Sequence, residues 1–361
     1  MDTFETFPEQ EEAKGLLRAA LAEGPAHAYL FHGPRGVGKR RAALAFAGTL
    51  LGDPDRVSRH AHPDLYVLEP LGDQIRIDPV RELRRDLHMR PFEASRRVYL
   101  VFGAHTMNED AADALLKDLE EPPDYAVIIL VASDLGPLPE TIRSRCQAVP
   151  FRRLSERAIR DAIAERAPEL SQQQVTTLAR IAAGRLDRAE RLIDPAAAQR
   201  REALLAVARA VYLDPAFDAN DSAGVLLDTI SARGDEAKER EEERVAGLEL
   251  PAREAEQRVR RAQRGAERDE LLAVLEELES WYRDLVVLAA GAEAAVVHVD
   301  RLADLREDAT RERLQAAEVA CELVRAAWRD AEELQLSVPL ALEALLIRLR
   351  RELAGPAMAR V

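Results

Sequence analysis

Residues 33–41 read GPRGVGKRR, and the first seven letters fit the pattern G-x-x-x-x-G-K of a phosphate-binding loop. In this motif Gly33, Gly36 and Gly38 let backbone N–H groups turn toward a phosphate, and Lys39 supplies a positive charge. The apolar run AYLFH before the loop provides the strand that the motif requires. The stretch therefore predicts a nucleotide-binding fold; the alternative is a plain glycine turn between a strand and a helix.

Arg40 stands where the motif carries Ser or Thr. A guanidinium has donors only and no lone pair for Mg²⁺. Hydrolysis also needs carboxylates at the end of a second strand, and the strand RVYLVF ends there in Phe102, with Gly103 after it. We predict that ATP hydrolysis is lost. The alternative is that another acid, Asp64 or Asp134, substitutes from elsewhere, although no motif supports it.

Four continuous apolar runs, at 28–33, 64–70, 97–103 and 125–133, are typical of strands buried on both faces of a parallel sheet. The helical pattern EDAADALLKDLEE lies between the last two and is ended by two prolines. Strands that alternate with helices predict an α/β domain.

Beyond that region only helical patterns follow. We predict three domains: an α/β phosphate-loop domain over 1–152, a small helical domain over 153–200, and an all-α domain over 201–361. The last contains a very polar segment around 234–270, predicted as long solvated helices or a hairpin broken near Pro251. The apolar helix VPLALEALLIRLRREL needs a partner face within the domain or on another subunit.

Charge and composition exclude several classes of protein. The net charge is −14; residues 1–200 hold 28 basic and 31 acidic residues, and residues 201–361 hold 23 and 34. Tight non-specific DNA binding by the whole chain is therefore disfavoured, although a local basic patch is compatible with these numbers. The acidic start is unlike a signal peptide, no apolar run could span a bilayer, and the two cysteines fit a reducing cytoplasm.

The segment TIRSRCQAVPF contains Ser144, Arg145 and Cys146 just after the fourth apolar run and a proline-rich turn. An arginine on a short turn at a domain edge can reach a neighbour's nucleotide and neutralise the charge that develops on a transferring phosphoryl group. On spacing alone, an arginine that pairs with a helix end on the surface is the simpler interpretation, since the chain has 47 arginines.

Three stretches together carry a resemblance: AHAYLFHGPRGVGK, ADALLKDLEEPP and TIRSRCQAVPF. They resemble the bacterial clamp-loader family of AAA+ proteins over about residues 5–200, and the C-terminal SVPLALEALLIRL resembles the end of the family's collar domain. The resemblance implies an AAA+ domain, a helical lid and an all-α collar, in a hetero-pentameric ring that places a sliding clamp on primer-template DNA.

Within such a ring the resemblance implies a stator subunit that does not hydrolyse ATP. Arg145 would be the arginine finger, Gly33, Gly36, Gly38, Lys39 and Arg40 would form the phosphate loop, and Arg188 would be the second sensor arginine, with Arg185 as a rival. Ser133 lies near the family's polar sensor position. The expected partners are the gamma and tau motor subunits, the delta subunit, the clamp and DNA. No cofactor is required, and ATP or ADP would be held passively.

The chain departs from its relatives in one respect. Many of them carry four zinc-binding cysteines after the loop helix, whereas this segment has only His60, His62 and Asp64. A structural zinc site needs about four ligands, so we expect no metal. Two other functions stay open at this point: an active motor subunit of the same machine, and an unrelated degenerate phosphate-loop scaffold.

Overall fold

The computed structural model describes residues 3–70, 74–133, 135–247, 252–333 and 337–354. The chain divides into two units, Met1–Glu190 and Arg191–Val361. The predicted boundaries at 152 and 200 stay predictions. Among the described residues, none of the helices combines the length and hydropathy that a bilayer crossing requires.

The first unit is built on a five-stranded, all-parallel sheet in the order β2-β3-β4-β1-β5. The strands are β1 Ala28–His32, β2 Leu65–Leu68, β3 Arg97–Phe102, β4 Ala126–Ala132 and β5 Gln147–Pro150. The four predicted strands are thereby confirmed. The fifth escaped prediction because it has four residues, begins with two exposed ones and ends in proline, which suits an edge strand.

Helices cover both faces of the sheet. The helices that pack on it are α1 Glu11–Glu23, α2 Lys39–Leu51, α3 Pro54–Ser58, α4 Ile77–Leu87, α5 Glu109–Glu120 and α6 Glu140–Arg143, with 3-10 turns at Thr3–Thr6 and Ala104–Thr106. After β5 follow α7 Glu156–Arg166, α8 Gln172–Ala182 and α9 Leu186–Ile193. Asn108 caps α5 and Ser155 caps α7, each accepting a backbone N–H from the first turn. The predicted α/β class is confirmed.

Two apolar layers hold this unit together. Successive residues of a strand point to opposite faces, so Phe31 packs with Phe46 of α2 on one side, whereas Leu30 packs with Leu115 of α5 on the other. Every residue of β3 and β4 is buried. This double burial is the physical reason that the apolar runs are continuous.

The second unit is entirely helical in its described part. Its helices are α10 Pro195–Leu213, α11 Ala219–Ala246, α12 Ala252–Ala289, α13 Leu302–Asp308, α14 Leu314–Glu333 and α15 Val338–Leu353, with 3-10 turns at Glu293–Ala295 and Val299–Arg301. Trp281 and Tyr282 of α12 lie at the centre of its core. Leu342, Leu346 and Leu349 of α15 pack in the same core, so the apolar last helix finds its partner face within the unit.

The polar segment 234–270 forms the distal parts of α11 and α12, which confirms long helices there; the predicted break at Pro251 lies outside the described residues. The two helices run antiparallel. Gly234 lies against Glu267, and Glu241 accepts a hydrogen bond from Arg258, so partner numbers fall along one helix as they rise along the other. We call the paired parts, residues 231–247 and 252–270, the charged hairpin.

A buried ionic network sits beside Trp281. The imidazole of His298 is fully buried and lies between Asp284 (Nδ1 to Oδ2, 2.8 Å) and Glu277 (Nε2 to Oε1, 3.1 Å). Arg201 joins Glu277 to Asp300. Burial alone would lower the pKa of His298, but hydrogen bonds to the two carboxylates outweigh it and raise that pKa.

This network predicts a pH-dependent contribution to the stability of the second unit. Because the pKa of His298 is raised in the folded state, its contribution is fully present below the ordinary histidine pKa of about 6.5 and is lost as pH rises through the raised value. His298→Gln should lower the free energy of unfolding by about 1–3 kcal/mol at pH 6 and by less at pH 9.

Urea unfolding followed by tryptophan fluorescence measures this, since both tryptophans, Trp281 and Trp328, belong to the second unit. His27→Gln in the first unit is the control and should leave the pH profile unchanged. A difference between wild type and His298→Gln that stays constant from pH 6 to pH 9 would contradict a charged His298.

Candidate functional site

The carboxyl ends of β1, β3 and β4 meet at one edge of the sheet. His32 at the end of β1 pairs in register with Ala132 of β4, and Phe102 at the end of β3 pairs with Val131. The phosphate loop, Phe102 and Ser133 therefore lie at the same edge. The backbone N–H of Ser133 donates to Nδ1 of His105 (3.3 Å), which lies on the 3-10 turn after β3, so Ser133 is held beside the end of that strand.

The loop between β1 and α2 requires its glycines. Gly33, Gly36 and Gly38 have φ values of 135°, 71° and 100°, which L side chains rarely adopt. A Cβ on Gly33 would also lie 2.1 Å from the carbonyl oxygen of Phe151. The chain thus enters the 13-residue helix α2 through a turn of the kind that presents backbone N–H groups to a phosphate.

Lys39, the first residue of α2, is only 5% exposed. Its Nζ donates to the carbonyl oxygen of Gly33 (2.6 Å) and to that of Pro34. Burial, helped by the nearby Arg35, lowers the pKa of Lys39 to about 8. The ammonium group is still mostly charged at neutral pH, so it remains able to bind a phosphate.

Asp187, in the first turn of α9, lies directly over the loop, a placement that the sequence did not suggest. The backbone N–H of Leu186 donates to the carbonyl oxygen of Gly36 (2.7 Å), and a Cβ on Gly36 would come within 1.8 Å of Asp187 Oδ1. Arg185 pairs with the Asp187 carboxylate (2.8 Å), which also accepts the backbone N–H of Arg188. The sensor role of Arg188 stays a prediction.

Arg40 and Phe102 contact each other. The guanidinium carbon of Arg40 lies 4.1 Å from the centre of the Phe102 ring, and the same guanidinium forms an ion pair with Glu69, just beyond β2. These are the two positions at which Mg²⁺ ligands were sought in the sequence. A cation–aromatic pair stands in their place, and neither side chain can coordinate a metal.

The alternative acids offer no replacement in the described part of the chain. Asp64 is fully buried, and its carboxylate accepts the backbone N–H groups of Phe92, Glu93 and Ala94 at 2.5–2.9 Å. Burial would raise its pKa, but these hydrogen bonds lower it. Asp64 therefore fixes the loop before β3. Asp134 lies outside the described residues.

The segment that carries zinc ligands in relatives is held by other contacts. Nδ1 of the buried His62 accepts the backbone N–H of Asp64 (3.1 Å), and its Nε2 lies 3.4 Å from Glu93. Nowhere in the described residues do three or more His, Cys, Asp or Glu side chains converge as a metal site would require. The prediction that no zinc binds stays a prediction.

Arg145 lies on the turn between α6 and β5. It donates to the carbonyl oxygen of Thr141 (2.9 Å) and forms an ion pair with Glu120 at the end of α5; its side chain is 34% exposed. Ser144 Oγ also donates to the Thr141 carbonyl, and Cys146 packs against the core, where burial raises its thiol pKa to about 12. The turn is thus fixed on both sides of the arginine.

Sheet topology separates Arg145 from the phosphate loop of its own chain. β5 is parallel to β1, with Tyr29 opposite Gln147 and His32 opposite Pro150. Arg145 precedes β5, whereas the loop follows β1, so the two lie at opposite edges of the sheet. Four or five residues at about 3.3 Å each separate those edges by roughly 13–17 Å along the strands.

The structure thus brings the loop glycines, Lys39 and Arg40 together and leaves Arg145 apart from them. Sequence reasoning missed three contacts: Asp187 on the loop, Glu69 on Arg40 and Glu120 on Arg145. Glu120 belongs to the quoted motif LEEPP, so the sequence did mark this residue as notable. No quoted motif pointed to Asp187 or Glu69 as a contact.

The similarity to known proteins lies in the part of the chain that carries the phosphate loop and Arg145. Residues 9–155 match the family described as DNA polymerase III, delta subunit. The chain is 34% identical over 151 residues to subunit delta' of Bacillus subtilis (strain 168), covering 38% of this chain and 46% of the relative. It is 38% identical over 143 residues to subunit delta' of Pseudomonas aeruginosa, covering 35% and 44%.

A tau subunit matches as well. Subunit tau of Bacillus subtilis is 32% identical over 170 residues, covering 43% of this chain and 30% of that protein. The chain therefore spans less than half the length of the curated relatives it matches. The resemblance predicted from the sequence is confirmed in this region: residues 9–155 match the DNA polymerase III delta subunit family and are similar to curated delta' and tau subunits.

Proposed function

We propose that the chain is a delta'-type subunit of the DNA polymerase III clamp loader, a stator that does not hydrolyse ATP and that donates Arg145 to a neighbouring subunit's ATP site. The observation that carries this proposal is the contact between Arg40 and Phe102. It occupies the region in which a hydrolysing relative would need its metal ligands.

The residues present do not fit Mg²⁺. A metal at this position needs oxygen ligands from the loop and from the end of β3. Arg40 offers only N–H donors, and Phe102 offers an aromatic face. Gly103 has φ of 66°, and a Cβ there would approach Pro70 to 3.3 Å. An aspartate or glutamate at position 103 would therefore be strained. We derive no hydrolytic step in this chain.

The residues do fit a phosphate. The loop glycines, the start of α2 and the charged Lys39 keep the geometry of an anion site. ATP or ADP held without metal would take the Lys39 ammonium from the carbonyl oxygens of Gly33 and Pro34. It would also have to displace the Asp187 carboxylate, which repels phosphate. Both costs favour weak, passive binding.

The position of Arg145 supports a role on another molecule. It lies at the sheet edge opposite its own loop, on a turn fixed by Ser144 and Cys146. Its ion pair with Glu120 is partly exposed and therefore weak. The phosphates of a neighbour's nucleotide carry more charge and would take over the guanidinium. The proposed partners are the gamma or tau motor subunits, delta, the clamp and primed DNA, in the cytoplasm.

The first prediction concerns the isolated chain. Purified alone, it should hydrolyse no ATP above the background of a Lys39→Ala variant, because neither Arg40 nor Phe102 can hold Mg²⁺ and the Asp64 carboxylate is occupied by backbone N–H groups. A coupled assay for ADP, with and without Mg²⁺, measures this. Mg²⁺-dependent turnover that Lys39→Ala abolishes would instead identify an active motor subunit of the tau type.

The second prediction concerns the assembled ring with its motor subunits. Arg145→Ala should remove one site's product from the first burst of ADP, since arginine fingers in other systems supply about 10³–10⁵ in rate. Rapid quenching after addition of ATP, clamp and primed DNA measures the burst. Arg143→Ala is the matched control, because Arg143 is exposed two residues away. Equal bursts from the two variants would exclude Arg145 as the finger.

A further inference from the structure

The charged hairpin of the second unit carries a one-sided basic surface. Successive residues of a helix are rotated by about 100°, so the arginines of α12 between 253 and 268 fall within an arc of about 100°. We call this set the arginine stripe: Arg253, Arg260, Arg261, Arg264 and Arg268. It contains one further side chain, Gln257, and no acidic residue.

The stripe lies outside the contacts that α12 makes with α11. Those contacts come from the side chains that flank it: Arg258 donates to Glu241, Gln263 lies near Asp235, and Glu267 lies against Gly234. The arginines at 253, 260, 261 and 264 are exposed, whereas Arg258 is half-buried and paired. Arg258 is thus neutralised by an ion pair within the hairpin, whereas the arginines of the stripe at 253, 260, 261 and 264 face solvent.

Most of the stripe is not neutralised within the chain. Arg260 pairs with Glu256 one turn before it. Arg253, Arg261 and Arg264 make no ion pair or side-chain hydrogen bond among the described residues. These three arginines thus have no ion pair among the described residues although residues 201–361 hold 34 acidic and 23 basic residues.

We propose that the arginine stripe binds the phosphate backbone of nucleic acid without reading its sequence. A guanidinium matches the geometry of a phosphate with two parallel donors. The stripe is about 22 Å long, from fifteen residues at 1.5 Å each, and so spans about six base pairs of duplex at 3.4 Å each. The inference is independent of the proposed function of the first unit.

The composition of the stripe favours nucleic acid over other anionic partners. Protein interfaces depend on aromatic and aliphatic anchors at their centre, and a helix that lies on a membrane needs an apolar face. The stripe offers neither, since every side chain in it is arginine or glutamine. Without aromatic residues to stack on bases, its contacts are confined to the backbone.

Fluorescence anisotropy with a labelled duplex DNA of arbitrary sequence tests this on the full chain. Arg253→Glu/Arg261→Glu/Arg264→Glu should weaken binding at least tenfold. The plot of log K against log salt concentration should become shallower by about 3, because three phosphate contacts are lost at about 0.9 each. Gln at the same three positions should weaken binding less, which separates lost contacts from added repulsion.

A matched control changes the net charge by the same amount elsewhere in the unit. Arg311→Glu/Arg348→Glu/Arg351→Glu alters three exposed arginines outside the hairpin and should leave affinity within twofold of wild type. Circular dichroism checks that both variants keep their helices.

Three results would overturn the proposal. One is no binding of duplex DNA by the wild-type chain at low salt. Another is an equal loss in the hairpin and control variants, which would indicate a general charge effect. The third is stripe-dependent binding to phosphatidylglycerol vesicles with no stripe-dependent binding to DNA, which would identify a membrane surface as the ligand.

Discussion

The parallel register of the central sheet determines what each functional group can reach. Because β1, β3 and β4 run in the same direction and end level with one another, the phosphate loop, Phe102 and Ser133 meet at one edge. Because β5 runs parallel to β1, the turn that carries Arg145 is held at the other edge. The parallel pairing of the strands therefore separates the residues that could hold a phosphate from Arg145.

The contact between Arg40 and Phe102 joins the two positions at which the sequence lacks the hydroxyl and the carboxylate that Mg²⁺ binding would need. A guanidinium beside the loop needs partners, and it finds the ring of Phe102 and the carboxylate of Glu69. An aspartate at position 102 with Arg40 retained would pair with the guanidinium and so be removed as a metal ligand. A threonine at position 40 with Phe102 retained would leave half of the ligand set. Replacing only Arg40 or only Phe102 would thus not create a complete set of Mg²⁺ ligands.

The sequence was informative wherever backbone chemistry dictates residue type. The loop glycines, the continuous apolar strands and the proline stop after α5 all follow from local rules, and the structure confirms them. It was uninformative where a side chain meets a partner far along the chain. Asp64 binds the N–H groups of residues 92–94, and Asp187 covers Gly36. Such contacts depend on the tertiary fold, and the spacing of residues in the sequence does not predict them.

The same limit applies to charge. The net charge of residues 201–361 is negative, which disfavours binding of nucleic acid. This sum does not show which charged side chains pair with one another. In the hairpin Arg258 is paired with Glu241, whereas Arg253, Arg261 and Arg264 have no ion pair among the described residues. At physiological salt a charge is screened within about 8 Å. Acids farther than this from the arginine stripe therefore contribute little at its surface, whereas Glu256 on the same helix pairs with Arg260. Net charge constrains long-range attraction, whereas the pattern of unpaired side chains decides contact.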